Sequence, residues 1–477
     1  MLWACLHFSD FSLQLWLQGW RDPGPAIITT GGNRPQVLSC NPPARSHGIA
    51  PGMTVSAAVA LAPDLIQRPR DLLAEQQALE RVAAWAGQFT SMVNLALPDA
   101  LLLEIQGSLR LFGGLRSLLL HLSAGLADLG YTAAIAAAPT PTGARLLARA
   151  GMGTVVTDNA GLAPALAELP LVLLDQPEET IRMLAVMGVR TLGECLALPR
   201  DGLVRRFGQT LMDELNRALG KLPDPRKPHL PPARYTARLA LPAPVQEIEP
   251  LLFAVKRLIL ELTGFLRMKQ AGLTKLKLTL RHEDCKPTVV ILGFTVPSRD
   301  PQRIVTLLRE RLSSLELPDR VEAITLASEE TRPLGSRNLS LFPEDRLLEE
   351  QQWLIIEHLR ARLGVEAVYS VASHPDHRPE LSWRVCEPGS RKDQYPQAAR
   401  PLWLLETPRR LQIQDDAPVL EGPLTLLAGP ERIESGWWDG NDVGRDYFVA
   451  EDSNGTRCWV FREHGGNASW YLQGLFS

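Results

Sequence analysis

The hydrophobic pattern changes period several times along the chain, and each period predicts a different element. Residues 1–8 (MLWACLHF) form an almost unbroken apolar run, which predicts a buried first strand. Residues 72–95 read as an amphipathic helix, with Leu72, Leu73, Leu79, Val82, Ala83 and Ala86 on one face. LLLEI (101–105) predicts a strand, Leu115 to Leu129 a helix, TAAIAAA (132–138) a strand, and 139–151 a second crossing helix. This order predicts an α/β sheet domain over 1–165, interrupted by a proline- and glycine-rich insert at about 32–75. Over 166–222 the pattern becomes short helices separated by glycines. Residues 223–234 are rich in proline, which fixes φ and removes a donor, so they predict an extended linker. A new unit, 235–330, runs strand, long amphipathic helix, two strands, helix, strand; its LTKLKLTLRH alternates apolar and basic with period two. Residues 331–343 are polar and bounded by proline, and 344–477 open with a helix to 363 and continue as short tryptophan-rich strands. The expected architecture is α+β and multidomain.

Composition narrows the classes. A length of 477 residues suggests about three domains. A hydrophobic fraction of 45% excludes wholesale disorder. The six cysteines show no Cys-x-x-Cys spacing, which predicts reduced thiols and no zinc cluster. No window reaches the roughly 18 apolar residues of a membrane helix, and the N-terminus lacks a secretory pattern. We therefore expect a cytoplasmic protein with no membrane partner.

The net charge of −3 argues against nucleic acid, but its distribution argues for it. Residues 253–281 hold Lys256, Arg257, Arg267, Lys269, Lys275, Lys277 and Arg281 against Glu261 alone. Lys275 and Lys277 share one face of a strand and could meet a phosphate backbone; the same pattern also fits a solvated strand face. In 178–217 the rhythm is that of helix-hairpin-helix elements. Gly188 would allow a tight turn whose free N–H groups meet a phosphate, assisted by Arg190, Arg205 and Arg206.

Taken in order, these parts resemble a Y-family translesion DNA polymerase over about residues 1–330. ARSHGIAPGM (44–53) is similar to the family's finger motif, QGSLRLFGG (106–114) to its palm segment, and LLARAG (146–151) to the helix after its phosphate-binding lysine. The resemblance implies a right-hand architecture. Palm and fingers would occupy 1–165, a helix-hairpin-helix thumb 166–222 and a linker 223–234. A little-finger-like domain would follow at 235–330, then an extra C-terminal region. It also implies carboxylates that hold two Mg²⁺ ions. The sequence departs there: His7 and Ser9 stand where two aspartates belong, and Ala100 follows Asp99 where a glutamate belongs. Asp10 is one residue out of phase on the first strand and would face away. Ser12 replaces the aromatic that gates the ribose, and Pro42 the finger tyrosine. Arg45 and Arg145 remain as vestigial nucleotide-binding positions. A neutral imidazole is a poor Mg²⁺ ligand, so the expectation is no catalysis, no metal and no cofactor.

This erosion, with DHRPELSWR (376–384), GWWDG (436–440) and WYLQGLF (470–476), resembles an inactive Y-family branch of bacterial mutagenesis cassettes. That resemblance implies an adaptor for error-prone synthesis, associated with the nucleoid when on DNA. Its partners would be DNA, the sliding (β) clamp, a DnaE-type polymerase and an ImuA/RecA-like accessory protein. Asn338-Leu339-Ser340-Leu341-Phe342 fits a clamp-binding peptide, with Leu and Phe as anchors and a polar amide at the rim. Residues 331–343 would carry it and 344–477 the other interactions. Trp437-Trp438 fits a small core or a partner contact better than base stacking. Two alternatives remain at this stage. One is an active polymerase using Asp10, Asp99 and Glu104, with Mg²⁺. The other is a structural DNA-binding protein unconnected to replication.

Overall fold

The computed structural model describes residues 1–20, 22–334, 343–389, 400–414, 416–465 and 469–476. They form two units, Met1–Arg362 and Leu363–Ser477.

The first strand is as buried as its sequence requires: Trp3–His7 has Cys5 and Leu6 fully enclosed. It lies inside a four-stranded sheet in the order Val93–Ala96, Ala100–Glu104, Trp3–His7, Ala134–Ala138. Every pairing in it is antiparallel, so the palm is an α+β sheet and not the expected α/β type. The expected helix over 72–95 ends at Ala86, and its last residues form the edge strand Val93–Ala96. Leu72 and Leu73 lie outside the core, while Leu79, Val82, Ala83 and Ala86 are inside it. The fingers are a small sheet built on Ala26–Thr29, with its own core around Ile27, Val37 and Ile49.

The thumb is five short helices between Leu162 and Ala218. The proline-rich linker is extended, and it is also bonded: the His229 N–H donates to the Val93 carbonyl at 2.7 Å. The little-finger-like domain has its four strands in the order Thr288–Ser298, Ala271–His282, Val321–Pro333, Thr236–Val245. Helices Ile248–Met268 and Pro301–Ser313 cover one face of that sheet.

The long helix also packs on the palm. Glu261 and Arg81 form a 3.2 Å ion pair with side chains only 3% and 18% exposed, and the Tyr235 hydroxyl donates to Glu261 at 3.0 Å. Trp85 is gripped between Gly125 and Gly264, where any added methyl would overlap its ring. The helix Pro343–Leu363 returns to the same domain: Glu357, 3% exposed, accepts from the Thr295 N–H at 2.7 Å and pairs with Arg303.

The second unit is built on a five-stranded antiparallel sheet, in the order Trp403–Arg410, Trp470–Leu475, Arg457–Glu463, Val443–Glu451, Thr425–Ser435. One face buries Leu424, Val460 and Leu472, and the other Tyr447, Trp459 and Phe461. Among the described residues no helix is long and apolar enough to cross a membrane. All six cysteines are free, and burial pushes the Cys5 thiol up to about 12.

Candidate functional site

The corner expected around His7 and Asp99 exists. Antiparallel register sets His7 opposite Ala100, so Asp99, just before that strand, lands beside the imidazole. The Phe8 N–H donates to the Asp99 carbonyl at 2.8 Å and fixes the approach. His7 Nε2 lies 3.6 Å from Asp99 Oδ2. Ser9 is exposed, and Ala100, fully buried, contributes only a methyl group. Burial by itself would raise the Asp99 carboxyl. Its interaction with His7, then the charges of Arg149 and Arg145, outweigh that and hold it below its ordinary value.

This corner does not fit a two-metal clamp, which needs several hard oxygen ligands around each pair of ions. One carboxylate is present, and it faces an imidazole. Glu104 pairs with Trp3 at the far end of its strand, on the order of 13 Å along the chain from Ala100 at ~3.3 Å per residue. Asp10 is also engaged elsewhere. The strand ends at His7, so the strand-phase argument does not reach Asp10. It has φ of 52° at the entry to the Phe11–Trp16 helix and accepts from Arg45 Nη2 at 2.7 Å. Among the described residues no group of three or more His, Cys, Asp or Glu is placed to hold a metal ion.

The cations around the corner are likewise engaged. Ser12 donates to Glu75 Oε1 at 2.5 Å, and buried Glu75 also accepts from Arg70 Nη2 at 2.8 Å. Arg145 and Arg149, one turn apart on the Pro141–Arg149 helix, both pair with Asp175, Arg149 at 2.7 Å. The Thr142 hydroxyl donates to Asp224 Oδ2 at 2.7 Å, and Arg226 pairs with the same carboxylate at 2.8 Å. Thr142, Arg145, Arg149, Asp175, Asp224 and Arg226 line a cavity of about 540 Å³. No local motif marks Glu75, Asp175 or Asp224: folding brings Ser12 to Glu75, Arg149 to Asp175 and Thr142 to Asp224, while Arg70 and Arg226 lie close by in sequence.

In the thumb, Gly188 has φ of 87° and closes its turn. Its N–H donates to the Ala185 carbonyl, and that of Val189 to the Leu184 carbonyl, each at 3.0 Å. The next two N–H groups, of Arg190 and Thr191, donate to Glu194 Oε2 at 2.6 and 3.0 Å. The hairpin amides expected to be free for a phosphate therefore bond within the hairpin. The signal was present in the sequence: Thr191-x-x-Glu194 is a capping box. The side chains of Arg190, Arg205 and Arg206 are exposed.

In the little-finger-like domain the basic residues divide between two surfaces. Lys275 and Lys277 alternate with buried Leu276 and Leu278, so they stand on the sheet face opposite the helices. Thr279 continues that face and aligns through Thr325 with Arg238. Arg257, Arg267 and Lys269 are on the helix side. The Arg257 guanidinium lies against Gly130 of the palm, and burial lowers its pKa. Arg267 donates to Gln88 Oε1 at 3.0 Å, and Lys269 to the Ala233 carbonyl at 3.3 Å. Lys256 is exposed. The peptide Asn338 to Phe342 lies outside the described residues.

The sequence pattern of the impB/mucB/samB family matches residues 21–149. The chain is 28% identical to Protein ImuB of Caulobacter vibrioides over 458 residues, 90% of this chain and 100% of that protein. It is 25% identical to DNA polymerase IV 2 of Mesorhizobium japonicum over 374 residues, 72% of this chain and 87% of that one. Among solved structures it is similar to DinB of Sulfolobus solfataricus, at 18% identity and a TM-score of 0.41, covering 69% of this chain and 98% of that one.

Proposed function

Taking the chain as an ImuB-like homologue of the Y-family polymerases, we propose that it is a non-catalytic adaptor in error-prone translesion synthesis. In this reading it works in the cytoplasm and associates with the nucleoid on DNA. It binds DNA and the sliding clamp, and it recruits a DnaE-type polymerase together with an ImuA/RecA-like protein.

One observation carries the reading. The palm corner holds a His7–Asp99 pair beside Ala100, where nucleotidyl transfer would require oxygen ligands for two metal ions. Positioning without chemistry is what such a body can supply. The engagement of Asp10 by Arg45 and the position of Glu104 at the far end of its strand speak against the rival in which Asp10, Asp99 and Glu104 carry a shifted polymerase site. Primer extension with Mg²⁺ or Mn²⁺ tests the point. The wild type should add no nucleotide, and incorporation abolished by Asp99→Ala would overturn the adaptor reading.

DNA is assigned to the open sheet face of Lys275, Lys277 and Arg238, and to the exposed thumb arginines Arg190, Arg205 and Arg206. The clamp is assigned to Asn338-Leu339-Ser340-Leu341-Phe342. The sequence supports this: polar residues and Pro343 flank its Leu and Phe anchors, between the strand that ends at Pro333 and the helix that begins at Pro343. Replacing Leu341 and Phe342 by Ala should abolish capture on immobilised clamp. Equal capture would reject the assignment, and with it the distinction from a DNA-binding protein unconnected to replication.

A further inference from the structure

The turn Gly436-Trp437-Trp438-Asp439-Gly440 of the second unit departs from what its composition suggests. Both tryptophans are exposed, 77% and 57%, in a T-shaped pair with ring centroids 5.5 Å apart. They are therefore not core. Nor are they carried on a loose loop. Arg378, whose side chain is 3% exposed, pairs with Asp376 at 2.8 Å and with Asp439 at 2.6 Å, and donates to the Asn441 carbonyl at 3.3 Å. Its guanidinium also lies 5.7 Å from the Trp438 ring centroid. Gly436 has φ of 92° and no room for a side chain against Asn441. A buried cation with two carboxylates thus fixes the base of a turn whose tip is two indoles.

Holding large apolar surface rigidly in water is unfavourable, and it removes the ordering cost when a partner covers that surface. Tryptophans presented in this way have the character of binding hot spots. The surrounding charge selects the partner. Asp442 and Glu434 are exposed beside the turn, and Asp442 has no ion-pair partner among the described residues. Acidic neighbours repel a phosphate backbone and attract a cationic rim. The edge-on geometry of the pair also leaves no parallel platform for successive bases.

The geometry points to the Trp437–Trp438 turn as the anchor that inserts into an apolar, cation-rimmed pocket of a protein partner. This rests on the adaptor reading and names the surface through which one recruited protein is held.

The test uses the full chain and three immobilised probes: the DnaE-type polymerase, the RecA-like accessory protein and a single-stranded oligonucleotide. Trp437→Ala with Trp438→Ala should weaken binding to one of the two proteins by about tenfold or more, with melting temperature and oligonucleotide binding unchanged. Asp442→Lys should weaken the same protein contact. If DNA were the ligand, that reversal of charge would strengthen oligonucleotide binding instead, and this outcome overturns the inference. Unchanged binding of both proteins by both variants also overturns it, while leaving the adaptor reading in place. A wild type that binds neither protein overturns the adaptor reading itself.

Discussion

At the scale of the residue, the corner shows how one substitution changes the meaning of its neighbour. Asp99 stands where a metal-binding carboxylate is expected, yet with His7 beside it the same carboxylate faces an imidazole 3.6 Å away. Its pKa is held below the ordinary value. A carboxylate of that kind stabilises the fold above its unfolded pKa, and the contribution disappears as pH falls through the folded pKa. We expect Asp99→Asn to lower the urea midpoint at pH 7. The gap to wild type should close on acidification below the normal carboxylate range, and a gap independent of pH would contradict the assignment. The residue types at 7, 9, 99 and 100 were legible from sequence because each sits in a recognisable motif. The fate of Asp10 was not. The strand on which its phase depends ends at His7, and the Arg45 that engages it lies in the fingers.

At the scale of the element, helix Ile248–Met268 does two tasks that its sequence displays as one. Its apolar positions fill the little-finger core, as the periodicity indicated. Its charged and small positions (Arg257, Glu261, Gly264 and Arg267) meet the palm, which no pattern within the helix could specify. The cationic surplus of 253–281 therefore overstated the surface available to DNA. Breaking the buried Arg81–Glu261 pair with Glu261→Ala should cost about 3–5 kcal/mol, because it leaves a guanidinium unpaired. Replacing both partners, by Arg81→Met and Glu261→Leu, should recover most of that loss. Gly264→Ala, pressed into the Trp85 ring, should cost about 1–3 kcal/mol as overpacking. Denaturant midpoints of the four proteins check these values. The helix predicted over 72–95 failed at its end for a related reason: apolar spacing continues past Gly87 into Val93–Ala96, and only pairing with Ala100–Glu104 makes those residues a strand.

At the scale of the molecule, a net charge of −3 conceals local surpluses of both signs. If the open sheet face carries DNA, Lys275→Ala with Lys277→Ala should reduce the slope of log affinity against log salt by about two. Arg267→Ala, which faces the palm, should leave that slope unchanged. Fluorescence anisotropy over a salt series separates the two outcomes. The order of parts along 1–330 was legible because each part has its own period and its own punctuation. The tail was less so. Both faces of its five-stranded sheet are filled, one around Leu424, Val460 and Leu472 and the other around Tyr447, Trp459 and Phe461, so alternation of apolar and polar residues is blurred.

The linker that bonds along Val93 has a meaning for the sheet as a whole. The His229 N–H occupies the Val93 carbonyl of the outer palm strand, the Lys227 carbonyl accepts from the Asn94 side chain beside it, and at the opposite margin Val155 bridges to Ala137. A sheet with free margins invites added strands from other chains. Here both margins are at least partly closed by the chain's own segments. A protein whose proposed work is to gather others thus keeps its central scaffold resistant to indiscriminate strand addition.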